Sequence, residues 1–170
     1  MIALKRILVP HDFSDTSAAA VRYAIALAHN FGAELRLLHV SDKARFEMAT
    51  EFPLGLDGTL EDAVRERLLK ILSPREQMEF KPTFEFRSGA PAAEIVKYAN
   101  DCGADLIVMG THGRGFVAHV VLGSVAEKVV RTAPCPVLTV RNPQHGFVVA
   151  DAPAEDVVAN TPVGQAVHAH

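Results

Sequence analysis

A chain of 170 residues, 49 % of them hydrophobic, is long and apolar enough to close one core. Its formal net charge of −3, without Trp or a basic block, argues against a general nucleic-acid binder or a base-stacking surface. No apolar run approaches the ~20 residues of a membrane span. Cys102 and Cys135 form neither a disulfide framework nor a CxxC site and are expected to be reduced. The start, Met1 to Arg6, sets charge directly before a strand and offers no signal peptide, so a cytoplasmic protein is expected.

Ile7 to Val9 predicts a short buried strand ending at Pro10. Pro10 to Ser14 is the connecting loop, with Ser14, Asp15 or Thr16 available as N-cap. The helix then runs to about Asn30, with Val21, Ile25, Ala28 and Phe31 on one stripe, and Gly32 stands where a left-handed C-cap belongs. Glu34 to Val40 is the second strand, and His39 within it is expected to be a satisfied core histidine. The connection from Ser41 to Gly58 is long, mixed in charge and interrupted by Pro53, Gly55 and Gly58. Such a stretch carries a short helical turn, covers a ligand or simply varies.

Thr59 with Asp62 resembles a capping box, and Leu60, Val64, Leu68 and Ile71 recur at helical spacing until Pro74 stops the helix. Thr83 to Arg87 alternates, as an edge strand with one more exposed face would. Pro91 opens the next helix, Ile95, Val96 and Ala99 face inward, and Gly103 ends it. Leu106 to Met109 has the composition of a buried parallel strand. It empties into Gly110, Gly113 and Gly115, before Gly123 and Ser124 open an amphipathic helix on which Val125, Ala126, Val129, Val130 and Ala133 share a face. Val137 to Val140 is the last strand. From Asn142 the composition shifts, with Pro143, Pro153 and Pro162 and no sustained period. A domain over 1–142 followed by a flexible tail over 143–170 is expected.

Strands alternating with helices in this way predict an α/β fold with an open, mostly parallel five-stranded sheet and helices on both faces. In such sheets ligands sit at the carboxyl ends of the strands, beside the point where strand order reverses. Glycines after a strand let the backbone turn tightly or approach a ligand, and a helix start offers free N–H groups to a phosphate. The same glycines also serve as plain turn residues. Ser124 can donate to phosphate, cap its helix, or do both. Arg114 either pairs with phosphate or is a solvated loop cation. Asp12 either meets ribose hydroxyls and Mg²⁺ or caps the following helix. His11 and His112 each follow a strand, facing each other across a crevice or simply exposed. No HxH or HExxH pattern supports zinc in the folded part.

Gly110, two residues, Gly113, nine residues, then Gly123-Ser124 is similar to the nucleotide-binding signature of the universal stress protein family. Ile7 to Ser14 (ILVPHDFS) and Leu37 to Val40 (LLHV) resemble that family in the right order, over roughly residues 3 to 141. The resemblance implies a Rossmann-like, adenine nucleotide alpha hydrolase-like sheet of order 3-2-1-4-5, with its switch point between strands one and four. It implies a nucleotide at Pro10, His11, Asp12, Val40, Met109, Gly110, Thr111, Gly113, Arg114, Gly123, Ser124 and Val125, with Asp12 the candidate for Mg²⁺. His11 stands where most members have a small residue. A homodimer pairing its last strand, Val137 to Val140, is implied as well.

The function expected is an ATP-binding regulator of the stress response. Turnover is argued against by the lack of a GxxxxGK[ST] lysine, of a positioned base and of the HxGH and SGGxDS patterns of adenylating relatives. Slow hydrolysis or phosphate transfer to Ser124 or Thr111 is one alternative. A module that acts by protein contacts without nucleotide is the other.

Overall fold

The computed structural model describes residues 3–42, 60–111 and 122–141. In chain order its elements are β1 (Arg6–Pro10), α1 (Asp15–Phe31), β2 (Glu34–Ser41), α2 (Leu60–Leu69), α3 (Pro74–Phe80), β3 (Thr83–Ser88), α4 (Pro91–Cys102), β4 (Leu106–Gly110), α5 (Ser124–Thr132) and β5 (Val137–Val140). The five strands form one sheet in the order β3-β2-β1-β4-β5. Every neighbouring pair is parallel. Strand order reverses between β1 and β4, as expected, and β3 and β5 are the edges.

The period of two along each strand divides its side chains between two cores. Ile7, Val9, Leu35, Leu37, Val108 and Val140 pack with Ala20, Val21, Ala24 and Ala28 of α1. Leu8, Leu38, Ile107 and Met109 pack instead with Ile95, Tyr98 and Ala99 of α4 and with Ala126 and Val129 of α5. A strand covered on both faces has no solvent side, which is why β1 and β4 read as unbroken apolar runs. Each fully buried Leu or Ile here contributes about 1.5–3 kcal/mol. Cys102 is buried, Cys135 is half-buried, and both are free thiols.

Ser14 is the N-cap of α1, accepting from the Ser17 N–H, and Gly32 (φ 62) is its left-handed C-cap. Gly103 (φ 60) does the same for α4. Two stripes differ from expectation. Phe31 is the final residue of α1, at the rim of its layer, and is 45 % exposed. Val130 lies on the flank of the buried stripe of α5 and is 47 % exposed.

Pro74 corrects a second expectation. It opens a helix instead of stopping one, so the described residues hold five helices where four were expected. The preceding helix ends at Leu69, and its turn tightens through Ile71 N–H to Leu68 O and Leu72 N–H to Leu69 O, each 3.1 Å. Ser73 then caps α3 in a reciprocal box with Glu76, and Pro74 takes the first helical position, where its missing N–H costs nothing. Ser73→Ala is expected to cost about 1 kcal/mol, read as a lower denaturant midpoint at constant m-value. The Thr59 half of the other expected box, the 43–58 part of the long connection and the 143–170 tail lie outside the described residues.

Candidate functional site

Parallel pairing sets the carboxyl ends of β1 and β4 side by side, with Pro10 ending one strand and Gly110 the other. Pro10 is the last residue of β1, not a loop residue, and pairs with Leu38. Successive backbone N–H groups alternate sides, and His11 N–H donates to Leu38 O at 2.8 Å on the β2 side. The Pro10 nitrogen therefore faces the β4 side, where the β1–β4 register ends at Leu8↔Ile107, as expected where a residue has no N–H to donate. His11 is 4 % exposed, which removes the exposed alternative for it. Its carbonyl accepts from His39 Nδ1 at 2.8 Å, so Nδ1 carries the His39 proton. His39, 7 % exposed, is thus the satisfied core histidine expected. Val40 follows it, half-buried and paired with Arg87 of β3.

Asp12 holds the turn from β1 into α1. Its Oδ1 accepts from the Ser14 N–H at 3.1 Å and from the Ser14 hydroxyl. Ser14 Oγ then accepts from Ser17 N–H at 3.3 Å, while Ser17 Oγ donates to Ser14 O at 2.8 Å. Asp12 therefore orients the capping hydroxyl, and Ser14 is the cap itself. Burial pushes the Asp12 carboxyl up, but hydrogen bonds from Ser14 and Ser17 and the nearby His11 outweigh it and hold it below its ordinary 3.8. Asp12 is an anion at neutral pH.

Met109 is buried in the core shared with α4 and α5. Gly110 ends β4 against α1: a Cβ there would lie 2.8 Å from both the backbone carbon and Oγ1 of Thr16, and 3.0 Å from Ser17 N. The missing side chain of Gly110 makes room for the first turn of α1, a packing role that the ligand-approach reading did not include. Thr111 is buried, and its N–H donates to Val140 O at 2.8 Å. Its carbonyl accepts from Gly123 N–H at 2.7 Å. That bond pins the two halves of the glycine signature together.

Gly123 occupies the N-cap of α5 (φ −66, ψ 153), so Ser124 is the first helical residue and not the cap. Glycine brings no side chain to the N–H groups of the first turn, which leaves them suited to an outside acceptor. Ser124 is exposed at this start, and Val125 packs against the core beneath it. His112, Gly113, Arg114 and Gly115 lie outside the described residues.

Two residues join this neighbourhood that the sequence reading passed over. Phe13 adopts φ 64, a left-handed conformation that costs a non-glycine residue on the order of 1–3 kcal/mol. Its N–H donates to His11 Nδ1 at 3.1 Å. The Arg67 guanidinium of α2 lies 4.2 Å from the centre of its ring, a contact that contributes about 0.5–2 kcal/mol. Neither has a sequence signal: a left-handed phenylalanine follows no local rule, and Arg67 reads as one more cation on a polar helix face.

The sequence model described as the universal stress protein family matches residues 3–141. Universal stress protein MJ0531 of Methanocaldococcus jannaschii is 39 % identical over 145 residues, covering 82 % of this chain and 84 % of that protein. MJ0577 of the same organism is 33 % identical over 156 residues, covering 82 % and 96 %. Its solved structure superposes with a TM-score of 0.68 at 32 % identity, covering 85 % of this chain and all of that one. A universal stress protein solved in complex with cAMP superposes at 0.57 with 25 % identity, covering 84 % of this chain and 100 % of the other.

Proposed function

Because this chain belongs to the universal stress protein family, we propose that it binds an adenine nucleotide, ATP with Mg²⁺, between the carboxyl ends of β1 and β4, and regulates a stress response through it. The observation that carries this reading is the Gly123 N–H to Thr111 O bond, which brings a helix start without a side-chain cap to the end of β4. Thr16 in the first turn of α1 lies against the same strand end at Gly110, which supports Asp12 and the phosphate cradle serving one ligand. The relative bound to cAMP supports adenine-nucleotide chemistry on this fold.

The residues fit the ligand chemically. Backbone N–H groups of Ser124 and Val125 would receive phosphate oxygens, Gly113 belongs to the same signature, and Arg114 beside it would pair with phosphate. Pro10, His11 and Val40 would border the nucleoside between β1 and β2. Asp12, ionised at neutral pH, would meet ribose hydroxyls or hold Mg²⁺, a hard cation that takes oxygen ligands. Mg²⁺ would supply charge neutralisation between phosphates.

The test is to denature freshly purified protein, analyse released small molecules by mass spectrometry, and titrate emptied protein with ATP–Mg²⁺. Co-purified ATP or micromolar binding with little ADP formed is expected. Rapid ADP formation would replace the regulator with an enzyme, and no binding by a folded protein would leave a protein-contact module. Gly123→Val is expected to abolish binding with the fold retained.

The dimer belongs to this proposal as well. β5 is an edge strand, and Leu138 on it is 37 % exposed, an apolar edge that a second copy would cover. Leu138→Asp is expected to convert a dimer to a monomer by light scattering, with nucleotide binding per chain retained. A monomeric parent protein would remove the β5 interface.

A further inference from the structure

Three side chains converge on Phe13. The His11 ring meets it edge-on at 5.1 Å, and the His39 ring of β2 lies 4.9 Å away, tilted by 41°. His39 is held in turn by its bond to the His11 carbonyl at 2.8 Å and by stacking on Phe86 of β3 at 6.1 Å. Arg67 of α2 closes the cluster, 4.2 Å from the Phe13 ring centre. The residue so enclosed is the one whose backbone is strained, at φ 64, and it is bonded directly to Asp12. On its far side the Ser14 N–H donates to Asp12 Oδ1 at 3.1 Å. A strained backbone persists only where its surroundings over-determine it. Here the surroundings include a helix whose Arg67 side chain is otherwise at the surface.

We propose that Phe13 and Arg67 are positioning residues for the Asp12 carboxylate, and that through them α2 responds to occupation of the crevice. The proposal rests on the nucleotide reading of that crevice. Arg67 over the ring favours the Phe13 conformation that aims Asp12. By linkage, a ligand that prefers this Asp12 geometry tightens the docking of α2 by the same factor. α2 is thus the element that carries the bound state away from the crevice, toward β3, whose Phe84 and Phe86 line one cavity with Val64 and Leu68 of α2.

Hydrogen exchange on the full chain tests both halves, using Arg67→Met, which keeps the apolar stem, and Arg67→Lys, which keeps the cation. Without ligand, Arg67→Met is expected to speed exchange of the Ser14 and Ser17 amides about fivefold, and Arg67→Lys to restore much of the protection. Unchanged rates would overturn the positioning role. With calorimetrically saturating ATP–Mg²⁺, amides from Arg65 to Leu69 are expected to exchange about fivefold more slowly in the parent protein but not in Arg67→Met. The same variant is expected to bind ATP about fivefold more weakly. Bound ATP with α2 unaffected would overturn the response of α2 while leaving the nucleotide site standing. No ATP binding would overturn the nucleotide reading and the response of α2 together, and the ligand-free rates would then decide the positioning role alone.

Discussion

Gly110→Val is expected to destabilise the fold by about 3 kcal/mol, the upper part of the range for overpacking a filled site. The new Cβ would sit 2.8 Å from the backbone carbon of Thr16, and backbone cannot swing aside as a flexible side-chain tip would. Relief requires α1 to lift from β4 or the β4 end to shift. The first disturbs a helix whose Ala20, Val21, Ala24 and Ala28 are packed on the sheet. The second strains the bonds from Thr111 to Val140 and Gly123. A melting temperature lower by about 6–12 °C follows for a chain of this size, and the denaturant midpoint is expected to fall at constant m-value. An unchanged midpoint would mean that the junction yields without cost. Lost nucleotide binding in this variant would follow from the disturbed junction, which is why Gly123, and not Gly110, is the position for testing the cradle.

Asp12→Asn is expected to weaken ATP–Mg²⁺ binding by on the order of 10- to 100-fold, the worth of one charge-assisted contact. The protein is expected to stay folded, because Asn keeps an acceptor for Ser14, but to lose about 1 kcal/mol through a weaker cap on α1. The pH dependence identifies the source of that loss. The folded-state value of Asp12 is lowered below 3.8, so its ionised form adds stability that is fully present above 3.8. That contribution disappears as pH falls through the depressed value. Glu76, also lowered, from 4.5, behaves in the same direction, with burial opposed by Ser73 and Arg22. Both the parent protein and Asp12→Asn contain Glu76, so their stability difference isolates Asp12. That difference is expected to be flat above 3.8 and to shrink below it. A difference that grew on acidification would assign Asp12 the opposite role.

The placement of the two strand ends was legible because its parts are local. Ile7 to Asp12 and Leu106 to Gly110 are each a buried strand running into a turn, and a parallel sheet must bring such ends to one side. The C-caps at Gly32 and Gly103 were legible for the same reason, and the N-cap of α1 was narrowed to Ser14, Asp15 or Thr16, of which the structure takes Ser14. Pro74 was readable too, as Ser73-Pro74-Arg75-Glu76 is a capping-box pattern with proline in its favoured place. Reading proline only as a breaker reversed its meaning.

What only the tertiary structure decided are the contacts between segments distant in the chain. Nothing near Gly110 announces that its missing side chain makes room for Thr16, and nothing near Arg67 announces Phe13. Strand order required a family resemblance, and the structure supplies it directly. Phe31 and Val130 carry the helical period but are exposed, Phe31 at the end of α1 and Val130 on the flank of the buried stripe of α5. Periodicity states which face of an element is apolar. Whether that face meets a partner, and how closely, depends on the packing of the other elements, and local sequence carries no record of it.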